Sequence, residues 1–174
     1  GIMFAGDYHD YTSTIHVAPA ATYYATVNMV QLMRSVDLVL TIVEGDYDRI
    51  TSATASIDGV YGAIDFITHS ADPADRTRTT AERLKQSEKL LTATFRFFAI
   101  QDADYGNMSL KVDIAFDNGD TCTITSDISA MTKDFGKSVS PLAIRGDLKL
   151  PVKGGFEGSI DGWKTADGGG YDAH

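Results

Sequence analysis

The chain has one cysteine, Cys122, in 174 residues. No internal disulfide can form. No zinc site can be built around it either, because His9, His16, His69 and His174 show no ligand spacing. Basic residues are few: 15 Lys and Arg stand against 24 Asp and Glu, for a net charge of −9. That balance argues against a nucleic-acid partner, which wants a basic face. It reads more simply as solubility. The Lys and Arg residues are scattered, so no polybasic patch for a membrane surface appears. No apolar run reaches the roughly 18 residues of a membrane-spanning helix.

No signal peptide is readable. The chain opens GIMFAGDYHD, without Met at position 1, and Ile2 to Gly6 reads like the middle of something longer. The expectation is a piece of a longer precursor whose missing part holds any export signal.

What is present suits a globular β-protein. Hydrophobic content is 43% and charged content 22%, both ordinary values. Thr and Ser are plentiful and Leu is not dominant, which favours strands. The length fits one domain with a sizeable core.

The stretch SVDLVLTIVEGDYDRITSATASIDGV (35–60) shows why. Val36, Leu38, Leu40 and Ile42 fall on one face, and Asp37, Val39, Thr41 and Val43 on the other. That is the period of a strand. Turn residues follow at 44–48. Ala53, Ala55 and Ile57 then alternate with Ser52, Thr54, Ser56 and Asp58. The pattern recurs at Ser13 to Val17, Thr22 to Val30, Thr92 to Phe98 and Leu110 to Phe116. Asp117-Asn118-Gly119-Asp120 predicts a hairpin, because Asn-Gly accepts positive φ. The return strand puts Cys122 and Ile124 on one face, so the thiol reads as a small buried hydrophobe. Pro141 to Leu150 makes a last strand. The expectation is an all-β fold: an antiparallel β-sandwich of about seven strands, with a barrel as second choice.

Two segments break the pattern. Ala71 to Lys89 is polar and reads mostly as a loop, with a short helix available at Ala81 to Lys89. Asp127 to Phe135 suits one or two helical turns, with Asp127 or Ser129 as cap. Residues 1–164 are expected to form one domain, and 165–174 (TADGGGYDAH) a flexible tail.

No catalytic, cofactor-binding or metal-ligating residue can be assigned. Gly136-Lys137-Ser138 ends like a phosphate-binding loop, but the glycine required five residues earlier is Met131. Asp134-Phe135-Gly136 mimics a kinase metal motif without any other kinase element. Acidic residues gather at Asp7 and Asp10, at Glu44, Asp46 and Asp48, and at Asp102 and Asp104. No closing Glu completes a calcium loop, so these are read as solvated loop carboxylates. No Ser, His and Asp set carries a local signature. Tyr8, Tyr11, Tyr23, Tyr24, Phe95, Phe97 and Phe98 suit core or sheet-face positions better than a sugar-binding face. Trp163 is expected outside the strands, as a plug over one end of the sandwich. No cofactor is implied.

Three stretches in order carry a resemblance: MRSVDLVL (33–40), ITSATASIDGV (50–60) and KGGFEGSIDGW (153–163). Together they resemble the C-terminal domain of minor fimbrial subunits of Bacteroidales, the fimbrillin-A-associated anchor proteins and related fimbrillin-like lipoproteins. The resemblance runs from about Phe4 to Trp163, and its motifs are soft strand patterns plus a Gly-Gly-Phe…Gly-Trp ending. It implies a two-domain lipoprotein of transthyretin-like sandwiches, of which this chain is the second half. It implies a lipid anchor in the outer membrane on the missing first half. The implied partners are other fimbrial subunits, and the implied role is anchoring or terminating a surface fimbria, without enzymatic activity. Stalk subunits of such fimbriae add a strand to a neighbour. The tail after Trp163 has no alternating apolar residues, which suits an end subunit better than a repeating one. The alternative is a cell-surface module binding carbohydrate or a host ligand, with exposed aromatics around Tyr23, Tyr24 or Trp163. A third reading, an enzyme, needs a pocket of converging titratable groups.

Overall fold

Alternation of apolar and polar residues fixes which side of each strand faces inward. The computed structural model describes residues 4–6, 19–20, 22, 29–66, 68–76, 78–151 and 157–167. The strand expected at Ser13 to Val17 lies outside these residues, as does most of the one at Thr22 to Val30. The described strands are β1 (Phe4–Gly6), β2 (Met29–Gln31), β3 (Met33–Glu44), β4 (Ile50–Val60), β5 (Arg78–Arg83) and β6 (Lys85–Ser87). They continue with β7 (Leu90–Phe98), β8 (Ser109–Phe116), β9 (Thr121–Asp127), β10 (Leu142–Lys149) and β11 (Ser159–Asp167). A short helix, α1 (Ser129–Thr132), lies between β9 and β10.

Two sheets make the sandwich. One has five strands in the order β11-β10-β3-β7-β6, the other four in the order β5-β4-β8-β9. β1 and β2 form a separate pair. Pairing is antiparallel except between β3 and β10, which run parallel from Val36 opposite Leu142 to Ile42 opposite Leu148. The all-β sandwich expected from the alternation is the observed architecture.

The core lies between the two inner faces. Val36, Leu38, Leu40 and Ile42 of β3 are buried, as are Leu91, Ala93, Phe95 and Phe97 of β7. Ala53, Ala55 and Ile57 of β4 face them, with Leu110, Val112, Ile114 and Phe116 of β8. Cys122 and Ile124 of β9 are buried on the same side. Burial disfavours the thiolate, so the Cys122 thiol is held above its ordinary range.

The Asn118-Gly119 hairpin forms as expected. Gly119 takes φ 85, Gly119 N–H donates to Phe116 C=O at 3.1 Å, and Phe116 N–H donates to Asp120 C=O at 2.9 Å. The helical turns after Asp127 also form, as α1 and a 3₁₀ turn at Phe135–Lys137. Ile128 occupies the cap position, while the Asp127 carboxylate accepts from Ser129 N–H at 2.8 Å.

Three expectations are corrected. The segment Ala71 to Lys89 contains two strands rather than a loop with a helix. Among the described strands, β5 and β6 each pair on one side only, with β4 and β7. Their described side chains are exposed, so no apolar alternation is required of them. Leu84 between them is the buried exception, and its N–H donates to Ala53 C=O at 3.0 Å. Trp163 lies inside β11, not outside the strands. It is half-buried against the core because Gly146 leaves room: a Cβ there would lie 2.9 Å from Trp163 Cζ3. Finally, β11 continues to Asp167, opposite Leu142, so regular structure runs past the expected boundary at 164. Residues 168–174 lie outside the described part.

Candidate functional site

A sheet edge carries unpaired N–H and C=O groups, and most natural edges are guarded by charge, proline, bulges or brevity. Among the described strands the two main sheets have four edges: β11, β6, β5 and β9. β6 has three residues. β5 carries Glu82 and Arg83, both exposed, and its register with β4 shifts at Asp58/Val60. β11 shifts register at Arg145/Asp147 and bends at Gly162, with φ 63. Each of these three has a guard.

β9 has none of them. Its seven residues, TCTITSD, pair with β8 without a shift from Ser109–Asp127 to Ala115–Thr121. It contains no proline, and no charge before Asp127. The bonding phase follows from the hairpin. Phe116 and Asp120 are a bonded pair, and bonded and non-bonded pairs alternate in an antiparallel ladder. Ile114–Cys122 and Val112–Ile124 are thus bonded to β8. The backbone groups of Thr121, Thr123 and Thr125 point away from it. Among the described residues none of these groups has a backbone partner.

The side chains complete the edge. Thr121, Thr123 and Thr125 are exposed. Thr123 Oγ1 donates to Asp113 Oδ1 at 2.5 Å, and Lys111 Nζ lies 2.9 Å from Asp113 Oδ2. The Thr123 hydroxyl and the Lys111 ammonium hold the Asp113 carboxyl below its ordinary range. The inner side is packed: Gly158 N–H points at Cys122 Sγ, and a Cβ on Gly158 would fall 2.9 Å from Ile124 Cδ1.

The loops after β2, β7 and α1 meet at one end of the sandwich. Tyr105 stands there edge-on to Tyr61 and Phe135, with ring centroids 5.4 and 5.2 Å apart. Arg76 lies at the same end. Its Nε donates to Gly59 C=O at 3.1 Å and its Nη1 to Asp104 Oδ2 at 3.0 Å, while its buried Nη2 has no hydrogen-bond partner among the described residues.

The residues weighed from the sequence are placed as follows. Lys137 of the Gly-Lys-Ser stretch pairs with Asp134 at 2.8 Å inside a 3₁₀ turn. Asp104 pairs with Arg76. Asp7 and Asp10 lie outside the described residues, with Tyr8, Tyr11, Tyr23 and Tyr24. Phe95 and Phe97 are core residues, and Phe98 is half-buried against the core. Among the described residues no three His, Cys, Asp or Glu side chains come close enough to hold a metal ion. The open edge was missed at the level of sequence, although the absence of charge and proline from 121–126 was a visible signal.

No protein-family model and no curated protein sequence matches the chain. Solved structures do. A candidate adhesin from Bacteroides ovatus is 13% identical, with a TM-score of 0.51 over 71% of this chain and 46% of its own. The fimbrial anchor protein Mfa2 from Porphyromonas gingivalis is 11% identical, with a TM-score of 0.49 over 86% of this chain and 52% of its own. A candidate cell adhesion protein from Bacteroides uniformis is 15% identical, with a TM-score of 0.41 over 82% and 53%. The chain spans about half the length of these structures. At these identities the first likeness speaks for the fold.

Proposed function

We propose that the chain is a structural subunit of a cell-surface fimbria, with an anchoring or terminating role at the outer membrane. In this reading it is the second sandwich domain of a longer lipoprotein precursor. The domain begins near residue 1, runs at least to Asp167 at the end of β11, and is transthyretin-like. The lipid anchor belongs to the preceding half, and no reaction is catalysed.

One observation carries the reading: among the described residues, the edge of β9 is unguarded in a sandwich whose other edges are guarded. Selection removes such edges from free-standing domains, since they recruit any exposed strand. An edge of seven residues with no partner strand among the described residues is suited to a partner's backbone. The fold likeness to a candidate adhesin and the resemblance in stretches 33–40, 50–60 and 153–163 support a surface role.

The full-length precursor should be purified from the organism that encodes it in mild detergent. The expected result is co-purification of a fimbrial stalk subunit. Thr123→Pro should abolish it, because proline removes an outward N–H without removing a backbone bond to β8; Thr123→Val, which loses only the side-chain bond to Asp113, should not. Purification of the precursor free of any fimbrial subunit would overturn the reading.

A further inference from the structure

A cavity of about 730 Å³ opens at the loop end, away from the inner faces of the sheets. Its size falls in the range of small-ligand sites. Leu32, Ile100, Gln101, Asp102, Ser138 and Val139 border it, with His69 at the rim.

The walls are fixed. Ala99 N–H donates to Leu32 C=O at 2.9 Å. Tyr105 Oη accepts from Ile100 N–H and donates to Phe98 C=O, both at 2.8 Å. Gly136 presses on the same turn so closely that a Cβ would lie 2.0 Å from Ile100 O. A ligand would meet a preformed surface.

Backbone strain gathers here. Among the described residues four non-glycines have positive φ, and two of them, His69 (52) and Asp102 (63), border this cavity. Such conformations are disfavoured and recur at functional sites.

The polar groups are also unspent. Gln101 and Asp102 are exposed and His69 is half-buried. None of the three side chains is hydrogen-bonded among the described residues. Val139 beside them is 61% exposed, a large apolar side chain held out to solvent.

The charge selects the ligand. Lys137 is paired with Asp134 and also feels Asp102. One ammonium thus faces two carboxylates, and the whole chain carries −9. An anion is repelled. A wholly apolar ligand would strip water from an amide, a carboxylate and an imidazole without replacing it. A neutral polyol fits both conditions. Its hydroxyls can donate to Asp102, accept from Gln101 and pair with His69, while its C–H face rests on Val139.

We propose that this cavity is a binding site for a neutral sugar residue. The test titrates the ¹⁵N-labelled chain with D-galactose, D-mannose and N-acetyl-D-glucosamine, with N-acetylneuraminic acid as the anionic comparison. At least one neutral sugar should shift the Gln101, Asp102 and Val139 amides saturably, with a Kd of about 10 mM or tighter. The acidic sugar should not. Asp102→Gly removes the carboxylate and suits the positive φ, so the fold stays and affinity should drop about tenfold or more. Asp102→Asn keeps an acceptor and tolerates the same backbone, so most of the affinity should remain. The proposal is overturned if no neutral sugar produces saturable shifts at these amides, if the acidic sugar binds there instead, or if Asp102→Gly leaves binding unchanged.

Discussion

The Arg34 guanidinium lies 5.0 Å from the centroid of the Phe135 ring, and its Nη1 donates to the Phe135 carbonyl at 2.8 Å. Its Nε donates to the Ser140 carbonyl. A charged side chain 3% exposed, on the inner face of β3, thus ties down the segment that leads into β10. Arg34→Met keeps the bulk and removes those donors. It leaves two carbonyls without their partner, at about 1–3 kcal/mol each. Urea unfolding should show a loss of about 3 kcal/mol, and Arg34→Lys should recover only part of it, since an ammonium lacks the guanidinium fork.

Tyr105 is held on both sides of its hydroxyl, by Ile100 N–H and Phe98 C=O. Burial pushes its pKa up to about 12 from 10.0. The unfolded chain therefore ionises this group first as pH rises. The folded state binds the proton more tightly, so stability is intact below pH 10 and falls between about pH 10 and 12. Tyr105→Phe should cost about 1–3 kcal/mol at neutral pH and flatten the fall. Thermal melts of both proteins across pH 8 to about 11.5 check the sign. An equal fall in both would assign the alkaline loss to other groups.

The hairpin at Asn118-Gly119 was legible because its cause is local. Gly119 takes φ 85, and nothing lies within 4 Å of where a Cβ would sit. Gly119→Ala should therefore cost only the conformational term, about 1 kcal/mol, read as a modest drop in melting temperature. The strand faces at 36–42 and 110–116 were legible for the same reason: each residue's burial is written in its own period. Sheet order is not local. That β9 is an edge while β8 is central follows from pairings across 60 residues of chain, such as Ala53 with Ile114, and no periodicity encodes it.

Gly136 was conspicuous for a motif it does not complete. Its role is steric. A Cβ would lie 2.0 Å from Ile100 O and 3.1 Å from Tyr105 Cε2, and the first of these is backbone that cannot swing aside. Gly136→Ala should cost about 3 kcal/mol, at the upper end of overpacking penalties. The cost should appear as a lower denaturation midpoint with an unchanged slope. A neutral result would mean that the 135–137 turn rides freely over the Ile100 loop.

Leu84 explains why the segment before β7 was misread. In ERLKQS (82–87) it is the only large apolar residue, and one residue makes no period. Yet it is 6% exposed and bonded to Ala53, where the chain crosses from one sheet to the other. Among the described strands β5 and β6 pair on one side only, and their described side chains are exposed, so hydrogen bonds hold them. Leu84 is then the pin that makes those bonds persistent. Leu84→Ala should cost about 2–4 kcal/mol by the usual cavity cost. Hydrogen exchange gives the sharper test. In the variant, the amides of β5 and β6 should lose protection well before those of β4 and β8, because one pinned crossover is released while the core pairings survive. Uniform loss across both sheets would instead make the crossover part of the cooperative core, and Leu84 an ordinary member of it.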